Sequence, residues 1–297
     1  MPFSPPDAAQ RSRAVGSLEG LPSALQRAFT AGNDFDPIPE PGPGDWLGVA
    51  RERGQTFERF ARAVPGPGQE GQQQIYLRPV GDFMPGHSQV VDQLQRFGTR
   101  FFASDLRLLG PLLVEDNGIT TRQNRFTDVV QLNTRDILAA LARDVAPDAR
   151  CVLGITDYDL YPHDTWSFVF GEALLGDRVG VFSIARYDPA FYGKPPGDPT
   201  LLVRRSCKVL AHETCHMLGM PHCVFFNCLM NGSNHLAESD RRPPHLCPVD
   251  LRKLQWALGF DVVDRYRALR AFWRDAGADD EAAWLERRID FIEGRTL

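Results

Sequence analysis

The chain has 297 residues, 43% of them hydrophobic and 24% charged, with a formal net charge of -5. Such a composition suits a soluble globular protein, long enough for one large domain or two modest ones and for a core that needs no disulfide staples. No run of about 20 apolar residues predicts a membrane span, and no basic run marks a nucleic-acid partner.

The opening MPFSPPDAAQRSRAVG lacks the basic-then-apolar order of a secretory leader. The expected location is therefore cytoplasmic. Residues 1–72 are rich in Pro, Gly, Gln and charge and read as a wrapped or partly ordered arm. Within it QTFERFARAV (55–64) has a short helical pattern. The compact part begins at QIYLRPVGDF (74–83), a strand by its β-branched and aromatic content. A helix follows in SQVVDQLQRFG (88–98) and a strand in RFFASDLRLLG (100–110). Asn133 or Thr134 is placed to cap a helix through ILAALARDV (137–145), which must stop before Pro147. CVLGITDYDLY (151–161) is a buried strand entering a loop, and WSFVFGEAL (166–174) with VGVFSIARY (179–187) forms a hairpin-like pair around Gly176-Asp177. After a Pro/Gly-rich loop (189–199), LLVRRSCKVLAHETCHML (201–218) reads as one long helix. Helical patterns return at 249–258, 261–275 and 279–292. No internal repeat is visible. The order predicts an α+β fold, α/β-like in its first part, with a twisted mixed sheet over a central helix and a smaller, mostly helical C-terminal subdomain. The expected divisions are an arm (1–72), a catalytic domain (73–275) and a C-terminal helical extension (276–297).

The chemistry is concentrated in His212-Glu213-Thr214-Cys215-His216-Met217-Leu218-Gly219-Met220-Pro221-His222. Residues four apart on a helix share a face, so His212 and His216 can offer two imidazoles to one Zn²⁺. Glu213 sits beside the first ligand, where a carboxylate reaches a metal-activated water without ligating the metal. Gly219 and Pro221 end the helix, and the chain can turn back to present His222 as third ligand, leaving the fourth position to water. This is the chemistry of a zinc-dependent peptidase with Glu213 as general base. The competing reading is a zinc-dependent binding protein with little or no catalysis, and it leaves the Glu213 carboxylate without a task.

Four of the six cysteines fall between Cys215 and Cys247. In a cytoplasmic chain, a cluster beside histidines points to metal before disulfides. Cys223 and Cys228 have loop-ligand spacing, and Cys247 opens CPVD, with Asp250 where a CxxC would carry its second thiol. Three thiolates plus Asp250 or His245 suffice for a structural zinc. Cys215 lies within the helix and reads as core. His87, His163, His235 and His245 read as surface histidines, with His245 also a reserve ligand. Met230, shortly after Cys228, is placed to form an apolar floor beneath the histidines.

The run HETCHMLGMPHC-VFFN-CLM, ending in CPVD, resembles the archaemetzincins, whose pattern is HExxHxxGxxHC, four residues, CxM, then CxxC before a helix. CVLGITDYDLYP (151–162), WSFVFGEA (166–173), GVFSIARYD (180–188) and RRSCKVLAHE (204–213) carry the same likeness, and GDW (44–46) a weaker one. The resemblance implies a metzincin fold and a catalytic zinc on His212, His216 and His222. It also implies Glu213 as general base, Met230 as the Met-turn residue, and a peptide or protein substrate. It further implies a second zinc on four cysteines, of which Cys223, Cys228 and Cys247 are present. Asp250 stands at the fourth position, a departure that leaves a Cys₃Asp or Cys₃-plus-His site.

Overall fold

The computed structural model describes residues 3–66, 74–173, 176–195 and 198–295. It divides into two compact units, one of residues 1–68 with 219–297 and one of residues 69–218.

The first unit begins with four short helices: α1 (Ala8–Val15), α2 (Ser23–Ala28), α3 (Trp46–Val49) and α4 (Phe57–Ala63). Of these only α4 has a pattern visible in the sequence. Helix α1 is closed by a capping box, Asp7 accepting from Gln10 N–H while the Gln10 side chain accepts from Asp7 N–H. That local solution orders a helix of only eight residues, below the length that is stable alone.

The 69–218 unit follows. Strand β1 (Gln74–Val80), helix α5 (Ser88–Phe101), β2 (Leu106–Leu108), β3 (Thr121–Gln123), β4 (Val130–Asn133), helix α6 (Thr134–Arg143), β5 (Ala149–Thr156), β6 (Asp159–Tyr161), β7 (Gly171–Ala173), β8 (Val179–Ser183) and helix α7 (Pro199–Met217) occur in that order. A five-stranded sheet runs β2-β1-β5-β8-β7, parallel except for the antiparallel edge strand β7; β3-β4-β6 form a smaller sheet. Leu174 of the expected pair lies outside the described residues; the pairing forms, but only between residues 171–173 and 180–182, shorter than the expected 166–174 and 179–187. Asn133 is the cap of α6, accepting from the N–H groups of Arg135 and Asp136.

The expected strand over 100–110 shrinks to Leu106–Leu108, because α5 continues through Phe101. Phe97 and Phe101 stand four apart with ring centroids 5.3 Å from one another, so the apolar helical face outlasts the β-propensity of Arg100-Phe101-Phe102. Helix α6 covers one sheet face through Ile137 and Leu141, which join Val80, Val152 and Val181 in a buried cluster. Helix α7 packs against α5, β5, β7 and β8.

The first unit is completed by α8 (Leu236–Arg241), α9 (Pro248–Leu258), α10 (Val262–Asp275) and α11 (Asp279–Glu293). Helices α10 and α11 pair, α2 rests on α11, and α1 and α4 rest on α9. Arg288 on α11 is fully buried yet ion-paired to Asp34 at 3.0 Å and bonded to the carbonyls of Ala28 and Thr30. The arm thus supplies the acceptors that make a buried guanidinium tolerable.

Candidate metal centres

Helix α7 carries the first donor set. Asp198 caps its start by accepting from Thr200 N–H at 2.9 Å, and Pro199 occupies the first turn. At the other end, Leu218 N–H bonds to Thr214 O, and Gly176 in the β7–β8 turn donates to His216 O at 3.0 Å. The hairpin therefore satisfies a carbonyl that the helix end would leave unpaired. Gly219 then takes φ +85°, and a Cβ there would stand 2.9 Å from Val64 Cγ2. Both the left-handed backbone and the space demand glycine at this bend.

The i,i+4 spacing brings the Nε2 atoms of His212 and His216 to 3.0 Å from each other, rings edge to face. Tetrahedral zinc with bonds of about 2.0–2.1 Å to imidazole holds two such nitrogens roughly 3.3 Å apart, so the pair fits that ion. Glu213 is nearly buried, and a Cβ on Gly171 of β7 would lie 3.1 Å from its Oε1 and 2.9 Å from Val181 O. Gly171 belongs to the WSFVFGEA segment, and its missing side chain lets the edge strand run close beside the carboxylate. His222 follows the bend, with Nδ1 2.7 Å from Glu52 Oε1 and its ring edge-on to Trp46 at 5.3 Å.

The second donor set lies wholly in the first unit. Cys223, Cys228, Cys247 and Asp250 each place one ligand atom within 4.8 Å of the others, and all four are buried. The Sγ atoms of Cys223 and Cys247 are 3.6 Å apart, and Asp250 Oδ2 is 3.4 Å from Cys228 Sγ and from Cys247 Sγ. Zinc–sulfur bonds of about 2.3 Å separate two tetrahedral thiolates by roughly 3.8 Å, so this set fits zinc as well.

A tight turn arranges the thiols. Cys228 N–H donates to Asn231 Oδ1, Asn231 Nδ2 donates to the carbonyls of Cys223 and Phe226, and Cys223 N–H donates to Met230 O. Met230 is fully buried within that turn. Cys247 caps α9, which places Asp250 in the first turn and Lys253 one turn later. Lys253 Nζ bonds Asp250 Oδ1 at 2.9 Å, with both side chains shut off from solvent. The carboxylate is thus shared, one oxygen toward the lysine and one toward the thiols.

Burial and close neighbours set the electrostatics of these four acids. Burial raises every member. Even so, hydrogen bonds from Cys228, Cys247 and Phe225 N–H, with the Lys253 charge, hold the Cys223 thiol well below its ordinary value. Burial and the neighbouring Cys223 push Cys228 and Cys247 well above theirs, and burial with Cys223 lifts Asp250 to about 6. Four buried acids around one point are a poor arrangement unless a divalent cation takes their protons' place.

His245 does not join them. Its ring stacks on Trp284, centroids 3.5 Å and planes 10° apart, and burial beside Arg288 and Arg265 lowers its pKa to about 3. His87, expected at the surface, is half-buried between Asp157 at 2.8 Å and Asp188 at 3.0 Å. His163 is exposed, while His235 bonds Asp45 at 3.1 Å. Cys215 is core, as expected. Burial pushes Cys151 up to about 12 and Cys207 well above its ordinary value, so both are inert thiols.

Residues 109–256 match the model of Peptidase family M54. Archaemetzincin-2 of Mus musculus is 38% identical over 308 residues, covering 91% of this chain and 84% of its own. Archaemetzincin-1 of Homo sapiens is 33% identical over 276 residues, covering 81% of this chain and 55% of its own. Among solved structures, the archaemetzincin of Methanopyrus kandleri is 28% identical, with a TM-score of 0.49 over 64% of this chain and 97% of that one.

A mixed sheet over a long helix bearing HExxH, followed by a glycine bend and a third histidine, defines a metzincin-type metallopeptidase. The chain belongs to the archaemetzincin family, peptidase family M54.

Proposed function

We propose that the chain hydrolyses peptide bonds at a zinc held by His212, His216 and His222, with Glu213 as general base and a second, structural zinc held by Cys223, Cys228, Cys247 and Asp250. The observation that carries this reading is the His212–His216 pair, two Nε2 atoms converging at 3.0 Å on the helix that also bears Glu213. When bound, the catalytic zinc supplies Lewis acidity for activating a water and polarising the scissile carbonyl.

Glu213 accepts the proton of the attacking water and returns it to the departing amine. Its near-burial against the Gly171 backbone strengthens the hydrogen bonds along that proton's path. Strand β7 is the sheet's edge, so an extended peptide can add to it as a further strand and lie beside Glu213. Met230 forms the turn that returns the chain after His222, and Asp250 takes the place of the fourth thiolate in the second site. A cytoplasmic setting is supported by cysteines clustered beside histidines and an aspartate, an arrangement that suits metal rather than disulfides. No helix of the described residues is long and apolar enough to cross a membrane.

Zinc analysis and turnover of a peptide library by the full chain test the reading. Wild type is expected to hold two zinc ions, His216→Ala one, and Asp250→Ala fewer than two. Absence of zinc after chelator-free purification, or peptide turnover by His216→Ala at the wild-type rate, sinks it.

A further inference from the structure

A zinc-ligating imidazole works only when its proton sits on the nitrogen facing away from the metal, and a partner on that nitrogen fixes both tautomer and ring direction. His212 and His216 direct Nε2 toward each other. His222 has Nδ1 2.7 Å from Glu52 Oε1. A carboxylate only accepts, so Nδ1 is the hydrogen-bond donor and carries the proton, which leaves Nε2 of this ring unprotonated.

Glu52 lies in the stretch that reads as an irregular arm, more than 150 residues before the histidine motif, yet its segment is tightly held. On one side Asp45 is clamped by Arg241 through bonds of 2.7 and 2.8 Å and bonded by Gly42 N–H. Trp46 N–H donates to Glu238, and the indole lies where a Cβ on Gly232 would come within 2.3 Å of it. That indole also fixes the His222 ring edge-on. On the other side Gly54, at φ +64°, brings the backbone so close to the residues after His222 that a Cβ would stand 2.5 Å from Val224 Cγ2. Gln55 adds a bond to Gly219 O at 3.4 Å. Glu52 sits between these two anchors.

We propose that Glu52 is a positioning residue for the third zinc ligand: delivered by the anchored 45–55 segment, it holds His222 as the Nδ1–H tautomer with Nε2 aimed at the metal. The proposal rests on the reading of His222 as a zinc ligand. It means that the N-terminal stretch orients the third histidine, which lies in the same compact unit.

The test is metal affinity of the full-length protein, by chelator competition for zinc and by cobalt(II) titration. Visible cobalt bands report the ligand field, and thiolate charge-transfer bands report the second site separately. Glu52→Leu is expected to weaken zinc at the histidine site by about 10–100-fold and to alter its visible cobalt bands, with the thiol-site signal unchanged. Glu52→Gln keeps the length and one acceptor oxygen and is expected to recover most of that loss, which a merely structural role would not require. If Glu52→Leu does not fold, Glu52→Gln decides: a loss of a few-fold supports the role, and wild-type affinity overturns it. Wild-type affinity and cobalt bands in Glu52→Leu, while His216→Ala loses its zinc, overturn the positioning role and leave the ligand assignment standing. Full zinc retention by His216→Ala shows instead that the ligand assignment itself has failed.

Discussion

The two donor sets differ most in their access to water. His222 keeps 19% of its side-chain surface exposed, whereas the three thiols and Asp250 keep 2% or less. An open coordination position is what a hydrolytic metal needs, and a sealed one is what a structural metal needs. The partners differ in the same sense. The thiols are held by a backbone turn and a buried lysine, groups that stabilise charge in a closed space. His222 is held instead by a carboxylate, that of Glu52 at 2.7 Å, the kind of partner that orients a metal-binding imidazole.

The largest effect expected from disturbing this contrast is chemical. Glu213→Gln should lower peptide turnover by about 10²–10⁴-fold with zinc content unchanged, since only proton transfer is removed. Wild-type turnover in that variant would mean another group acts as base.

Next comes the sealed site. Lys253→Met strips the cation from a fully buried carboxylate, and breaking such a pair costs about 3–5 kcal/mol. Urea unfolding should show that loss together with zinc release, and unchanged stability would show that the metal alone balances Asp250. Smaller is the bend between helix and third histidine. Gly219→Ala forces a left-handed alanine against Val64 and should cost about 1–3 kcal/mol. A melting temperature equal to wild type would show that the bend relaxes freely.

The smallest effect falls where a histidine meets carboxylates and no thiol. Burial pulls the His87 pKa down, but Asp157 and then Asp188 outweigh it and hold the pKa above the ordinary value. Its contribution to stability is therefore complete below about pH 6.5 and is lost as pH rises through the raised pKa. Solvent screens these ion pairs in part, so the contribution is about 0.2–1 kcal/mol. Stability profiles of wild type and His87→Gln should converge at alkaline pH and separate in acid. Parallel profiles would remove His87 as the source.

Much of the 69–218 unit is legible in the sequence. Strand β1, the β7–β8 pair, the Asn133 cap and α7 follow from local propensity, periodicity and turn chemistry, which act within a few residues. Strands β3 and β4 are not marked by any pattern, and α5 runs through Phe101 because one helical face has more to bury than a strand start. The 1–72 stretch is far less legible. Its helices at 8–15, 23–28 and 46–49 are short and weakly periodic; the first takes its order from a capping box and packing on α9, the second from packing on α11, and the third from Trp46, bonded through its N–H to Glu238 and seated against Gly232. His245 shows the same limit: proximity to Cys247 makes it a candidate ligand, and stacking on Trp284 removes it.

Residue type and spacing suffice to nominate the candidate donors of both centres, and the order of the helix, bend and turn that present them. Those depend on periodicity along one helix and on residues such as Gly219 whose conformational range is intrinsic. Only the folded chain sets Asp250 rather than His245 against the thiols, shares the Asp250 carboxylate with Lys253, and brings Glu52 to His222. Each of these joins side chains by direction rather than by spacing, and direction is fixed by the packing of the segments that carry them.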